Sequence, residues 1–234
     1  MYKELFDDVE CIIFDLNGTI IQDEILWYLT YREVFKDEIL SDYPNYGERG
    51  LTLKDNINLI LSSNELRSKA DPEVYYKIIT TKYFEKLDKS RITDGFLEFL
   101  NKMINMNKRM ALVSNSDNYI TKTTLATLNL THYFEFILTS DDVESPKPAP
   151  EIYDLAISKF GVSKDKILVF EDSLVGNYAA ETAGLERIII LPEDLEEIDY
   201  GSNTQHFIDN FNEINPYIDI SPEDYIIDSF NQYR

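Results

Sequence analysis

Cys11-Ile12-Ile13-Phe14-Asp15-Leu16-Asn17-Gly18-Thr19-Ile20 is the stretch on which the reading of this chain turns. Four apolar residues end in an aspartate, and a glycine-containing turn follows within three residues. A short continuous apolar run of this kind reads as a strand buried on both faces. Asp15 then stands at the strand's carboxyl end, with backbone amides and the Thr19 hydroxyl close behind. Open parallel sheets bind their ligands at that edge. An ordinary turn also favours Asp and Asn, so the rest of the chain must decide between a site and a bend.

Five β-branched or aromatic runs, at residues 9–15, 109–115, 134–139, 166–171 and 187–191, read as buried strands. Helical patterns at 95–106, 119–130, 150–160 and 174–183 alternate with the later ones. That alternation predicts an α/β fold, a Rossmann-like parallel sheet with helices on both faces. The interval 21–90 breaks the pattern. It holds three helical stretches, 23–36, 52–62 and 72–87, and no convincing strand. Asp71-Pro72 opens the last with a capping residue followed by proline at the first helical position. The expected organisation is therefore a core of residues 1–20 and 91–234, with an α-helical cap domain of residues 21–90 inserted over the catalytic edge.

Composition narrows the function classes. With 44% hydrophobic and 13% aromatic residues the chain is globular rather than disordered. Its 43 acidic against 22 basic residues give a formal charge of −21, a field that repels nucleic acid and anionic membranes. An anionic substrate needs a local cation, from metal or lysine. The single cysteine, Cys11, cannot form an internal disulfide, which suits a reducing compartment. The amino terminus lacks the regions of a signal peptide, and no apolar stretch reaches the roughly 20 residues of a membrane span. A soluble, cytoplasmic protein is the expectation.

Three further segments carry chemistry. Met110-Ala111-Leu112-Val113-Ser114-Asn115-Ser116-Asp117 ends a strand in a hydroxyl and an amide. Ser114 and Asn115 can bond a phosphoryl oxygen there, while Ser116 and Asp117 suit a helix N-cap. Ser145-Pro146-Lys147-Pro148-Ala149-Pro150 holds one lysine in a stiff proline turn. A solvated surface lysine gains nothing from such a mount, whereas one aimed at a phosphate and a carboxylate gains positional precision. Val169-Phe170-Glu171-Asp172-Ser173 ends a strand in adjacent carboxylates. Acids favour a helix N-terminus, but two of them at a buried edge beside Asp15 call for a cation between them. Mg²⁺ suits such hard oxygen ligands.

In order and spacing these segments resemble the haloacid dehalogenase (HAD) superfamily, whose first motif is usually Asp-x-Asp-Gly-Thr. The β-phosphoglucomutase-like branch is the nearest in pattern, through Phe134–Val143, Lys147-Pro148-Ala149-Pro150 and Glu171-Asp172-Ser173 with Gly176 and Ala179-Ala180. The resemblance implies a phosphatase of small phosphorylated metabolites with Asp15 as the nucleophile. It further implies Mg²⁺ held by Asp15, the main-chain carbonyl of Asn17, Asp172 and Glu171, and a phosphoryl group bound by Ser114 and Lys147. Gly18 and Thr19 would shape the phosphate-binding turn. The family's second aspartate, the general acid and base, is here Asn17, whose amide cannot transfer a proton.

Several readings of Asn17 stay open: a slow phosphatase favouring good leaving groups, a silent relative that binds a phosphorylated ligand or partner, or an introduced replacement. Deamidation of Asn17-Gly18 is a fourth. A sugar phosphomutase is disfavoured, because it needs the missing acid twice. A dehalogenase is disfavoured too, since that branch carries tyrosine there and no metal. A phosphonatase would need a cap lysine, and Lys36, Lys54, Lys69, Lys77, Lys82 and Lys86 have no motif marking one of them. Within the cap, Arg49 and Lys54 in and beside the loop-like segment 46–52 are the candidates for a distal anionic group, or ordinary solvated charges. Trp27, Tyr28, Tyr31 and Phe35 follow helical spacing and read as cap core. His132 and His206 take no role, and the acidic, tyrosine-rich tail is left unassigned.

Overall fold

The computed structural model describes residues 2–35, 49–62, 71–204 and 206–218. In chain order the strands of the described residues are β1 (Cys11–Phe14), β2 (Ile21–Gln22), β3 (Arg91–Ile92), β4 (Arg109–Val113), β5 (Phe136–Leu138), β6 (Ile167–Glu171), β7 (Glu186–Ile190) and β8 (Phe207–Ile208). Six of them form the main parallel sheet in the order β5-β4-β1-β6-β7-β8. β1 lies at the centre between β4 and β6, with Phe14 opposite Leu112 on one side and Phe170 on the other. This register places Asp15, Ser114, Glu171 and Asp172 together at the carboxyl ends of three adjacent strands. Phe207–Ile208 forms the last strand, parallel to β7.

Side chains alternate across the central strand as its pleat requires. Ile12 and Phe14 enter one buried cluster with Phe96, Phe99, Phe170 and Phe211, while Cys11 and Ile13 enter the other with Val169, Tyr153 and Ala179. Phe14 stacks on Phe170 (centroids 5.3 Å apart) and meets Phe96 edge-on at 5.5 Å. The residue before Asp15 is thereby locked, each aromatic pair adding about 0.5–1.5 kcal/mol beyond its buried area.

The helical insert contains Glu24–Phe35, Leu53–Ser62 and Pro72–Phe84, which share their own apolar core of Leu26, Ile57, Ile60, Ile79 and Tyr83. The sequence pattern at 72–87 stops at Phe84, and a 3-10 turn at Leu87–Lys89 follows. One difference from the sequence reading concerns the insert's two roots. Ile21–Gln22 pairs antiparallel with Arg91–Ile92, a ribbon of two residues per strand and too short to show alternation in the sequence. Thr93 N–H donates to the Ile20 carbonyl and reinforces that clasp. A helix at Tyr2–Asp8 is the other unanticipated element. The end of the expected 23–36 helix, Lys36, Lys69, residues 46–48 of the cap loop and the acidic tail beyond residue 218 lie outside the described residues.

Candidate active site

Lys147 is buried at 3% exposure, although lysine is among the residue types least often buried without partners. Its Nζ donates to Asp15 Oδ1 (2.7 Å), Glu171 Oε1 (2.5 Å) and the Val113 carbonyl (3.0 Å). Burial works against its charge, but Asp15 and Glu171 outweigh that and hold the ammonium well above the ordinary lysine range. The proline turn is tied down from the neighbouring strand. Asn115 Oδ1 accepts from Lys147 N–H (2.9 Å), and Asn115 Nδ2 donates to the Lys147 carbonyl (2.9 Å) and to the Gly50 carbonyl of the insert (2.8 Å). Asn115 thus spends its side-chain donors on the scaffold rather than on a phosphoryl oxygen. Ser114, buried beside it, accepts from Ser116 N–H.

The two vicinal acids have different surroundings. Glu171 is fully buried and accepts five hydrogen bonds, from Lys147, Tyr153 Oη, Asp172 N–H, Ser173 N–H and Ser173 Oγ. Gly176 is required here, since a Cβ would lie 1.9 Å from Glu171 Oε1. Asp172 accepts from Thr19 Oγ1 on Oδ1 (3.2 Å), while its Oδ2 is buried with no hydrogen-bond partner. Gly18, at φ 83°, passes so close that a Cβ would meet Asp172 Oδ2 at 2.0 Å. Burial pushes Asp172 well above the usual carboxylate range, and pushes Asp15 up to about 7 against the pull of Lys147.

Asp15, Glu171 and Asp172 present carboxylate oxygens within 4.8 Å of one another. A hard cation suits this set. Like charges gathered in a buried place destabilise one another, and an unpaired buried carboxylate oxygen costs about 1–3 kcal/mol. Asp172 Oδ2 is oriented and unsatisfied, whereas Glu171 is saturated by protein donors and acts as the anchor of Lys147. These residues fit Mg²⁺, with Asp15 and Asp172 best placed to touch it.

Above the strand ends lies a cavity of about 480 Å³ between core and insert. Asp15, Asn17, Ser114, Asn115 and Asp172 line it from the core, and Asp23, Glu24, Trp27, Tyr28, Tyr31, Arg49 and Asn56 from the insert. Trp27, Tyr28 and Tyr31 are more than the cap core that their spacing suggests. Trp27 does stack on Tyr83 at 4.0 Å, but all three also wall the cavity. Arg49 pairs with Glu24 and with Asp194 (3.0 Å), and stands 3.9 Å from Asp172 Oδ2. Lys54 lies elsewhere, 5.9 Å from the centroid of the Tyr76 ring, and does not line the cavity. Among the described residues, no lysine of the insert does.

Sequence reasoning missed Asp23. It sits at the start of the first cap helix, where an acid is an unremarked helix-start residue, and Trp27 at four residues further is the one local hint. Its side chain is fully buried. Asn17 Nδ2 (2.6 Å), Trp27 Nε1 (2.9 Å) and Tyr83 Oη (2.6 Å) all donate to Asp23 Oδ2. Burial raises the carboxyl to about 6, with these donors opposing the rise. Tyr153 and Tyr200 were missed as well; they hold Glu171 and the Asp172 carbonyl, and nothing local in the sequence marks either contact.

Residues 12–190 match the sequence profile of the haloacid dehalogenase-like hydrolases. The chain is 29% identical over 183 residues to the phosphorylated carbohydrates phosphatase of Thermotoga maritima, covering 77% of this chain and 84% of that one. To the 6-phosphogluconate phosphatase of Escherichia coli it is 24% identical over 183 residues, covering 76% and 80% respectively. In three dimensions it superposes on CbbY of Rhodobacter sphaeroides, solved with phosphate, at a TM-score of 0.76 and 20% identity, covering 91% of this chain and all of that one. Because the profile spans most of the length and takes in every strand end that carries the acids, the chain belongs to the haloacid dehalogenase-like hydrolases.

Proposed function

We propose that this hydrolase is a phosphoric monoester hydrolase of small phosphorylated metabolites that works through an aspartyl-phosphate on Asp15. The observation that carries the reading is the buried Lys147 ammonium bonded to Asp15 at the end of the central strand. A carboxylate oxygen held this way is aimed, and its neighbour cation meets the charge of an incoming phosphoryl group. Asp15 attacks phosphorus and the ester oxygen departs. Ser114 and Lys147 spread the charge on the transferring oxygens, the main task in phosphoryl transfer. Mg²⁺, held by Asp15 and Asp172 beside Glu171, would neutralise further charge on that group. Among its described lining residues the cavity carries Asp15, Asp23, Glu24, Asp172 and Asp194 against Arg49 alone. A phosphate entering there depends on Lys147 and the metal, while the aromatic wall of Trp27, Tyr28 and Tyr31 receives the organic part.

Asn17 holds a hydrogen-bonding position but moves no proton. General acid–base catalysis is worth about 10²–10⁴-fold, or roughly 3–5 kcal/mol of barrier. Position 17 by itself therefore predicts an attenuated phosphatase. The test is phosphate release from a panel of small phosphate monoesters with Mg²⁺, run beside an Asp15→Ala variant. Release by the parent and none by the variant is expected. Equal release by both would replace the enzyme reading with that of a protein that binds its ligand without turning it over.

A further inference from the structure

Asp23 is a buried carboxyl with no structural need for both of its oxygens. Oδ2 takes the three donors Asn17, Trp27 and Tyr83, whereas Oδ1 is buried and has no hydrogen-bond partner. The donors come from three residues, one on the core and two on the insert, so protein contacts on Oδ2 hold the carboxyl and with it Oδ1. Asn17 is oriented by the same network: Ser116 Oγ donates to its Oδ1 (3.0 Å), which turns its Nδ2 toward Asp23. The side chain at position 17 is thus a bridge between core and insert, with both ends occupied. Asp23 lines the same cavity as Asp15 and Asn17.

The geometry points to Asp23 as the general acid and base of this enzyme, a catalytic carboxyl carried by the helical insert instead of by position 17. The inference rests on the phosphatase reading above. In the first half-reaction Asp15 bonds phosphorus, the bond from phosphorus to the ester oxygen breaks, and that oxygen takes the proton of the Asp23 carboxyl. In the second, a water oxygen bonds phosphorus and the water gives a proton to the Asp23 carboxylate. The bond from phosphorus to Asp15 then breaks, and both carboxyls return to their starting forms. Because Asp23 belongs to the insert, the proton route exists only while the insert is seated on the core.

The test compares kcat/KM, with Mg²⁺, on 4-nitrophenyl phosphate and glycerol phosphate for the parent, Asp15→Ala, Asp23→Asn, Asn17→Asp and the double variant Asn17→Asp/Asp23→Asn. The nitrophenolate leaves without a proton, whereas the glycerol oxygen needs one. Asp23→Asn should lose about 10²–10⁴-fold on glycerol phosphate and no more than about tenfold on the aryl ester. The double variant should recover to within about tenfold of the parent on glycerol phosphate, and Asn17→Asp alone, which deletes a donor to Asp23, should bring no gain approaching about 10²-fold. Equal losses on both esters in Asp23→Asn would overturn the inference. So would a gain of about 10²-fold or more in Asn17→Asp alone, which would show that the parent lacks an acid. If Asp23→Asn fails to fold by its thermal melt, Asn17→Asp decides: a gain of about 10²-fold or more on glycerol phosphate overturns the inference, and any lesser gain or a loss upholds it. A parent no faster than Asp15→Ala on either ester removes the phosphatase reading, and this inference with it; a parent that is faster leaves that reading standing whatever the Asp23 variants do.

Discussion

Two buried acids, Glu171 behind the core wall of the cavity and Asp23 in its insert wall, are treated differently. Glu171 on the core side has all its lone pairs engaged by a lysine, a tyrosine, a serine hydroxyl and two main-chain amides. Asp23 on the insert side has three donors on one oxygen and none on the other. A saturated carboxylate is a fixed charge: it holds Lys147 in place and has nothing left to exchange. A half-satisfied one is poised to meet a ligand. Glu171 therefore supplies electrostatic preorganisation, while Asp23 Oδ1, like Asp172 Oδ2 on the core, faces the cavity's contents without a protein partner.

The contrast can be broken in several places. Asp15→Ala should reduce phosphate release by more than about 10³-fold, since the nucleophile itself is removed; residual release near the parent rate would put the chemistry outside the core wall. Lys147→Met should lower turnover by about 10²–10³-fold. It should also destabilise the fold by about 3–5 kcal/mol, because Asp15 and Glu171 become buried charges without their counter-ion. Urea unfolding reads the second effect, and a midpoint unchanged from the parent would mean that the lysine is not what holds the acids. Phe14→Ala should cost about 3–5 kcal/mol through the hole left among Phe96, Phe99, Phe170 and Phe211. On the insert side, Trp27→Phe keeps the stack on Tyr83 but deletes the Nε1 bond to Asp23, a loss of about 1.5–3 kcal/mol. A cost equal to that of Lys147→Met would erase the distinction between a saturated and a half-satisfied wall. The smallest effect is on Cys11, which is wholly buried and whose thiol burial pushes up to about 11. Ellman's reagent at mildly alkaline pH should label it only as fast as the protein unfolds.

The same division explains what could be read in advance. Strand ends are legible because an apolar run terminates abruptly in a polar residue. Asp15, Ser114, Glu171 and Asp172 lie at such breaks, and parallel register brings them together, whereas Lys147 is legible from its proline mount. The parallel α/β sheet followed from the alternation of strands and helices, whereas the order of its strands is seen only in the fold. What the sequence did not show depends on packing between distant segments. Asp23 earns its meaning from Tyr83, sixty residues on, and from an amide on another wall. The Ile21–Gln22 and Arg91–Ile92 ribbon is defined by a pairing across the whole insert. Asn115 reads as a phosphate ligand because it stands beside Ser114, and the fold shows what the sequence could not, that its side-chain donors serve the lysine turn and Gly50. Lys54 looked like a substrate contact by loop position, and its helix turns it toward Tyr76 instead.

The central claim is that Asp15 becomes phosphorylated during turnover. The direct measurement is acid quenching of the enzyme with Mg²⁺ and a phosphate ester within the first turnovers, followed by peptide mass mapping. One phosphoryl group on the peptide carrying Asp15, gained as substrate is consumed and lost as free phosphate appears, is the predicted result. Phosphate release with no modification of that peptide at any time, or with the phosphoryl group on another residue, would contradict it.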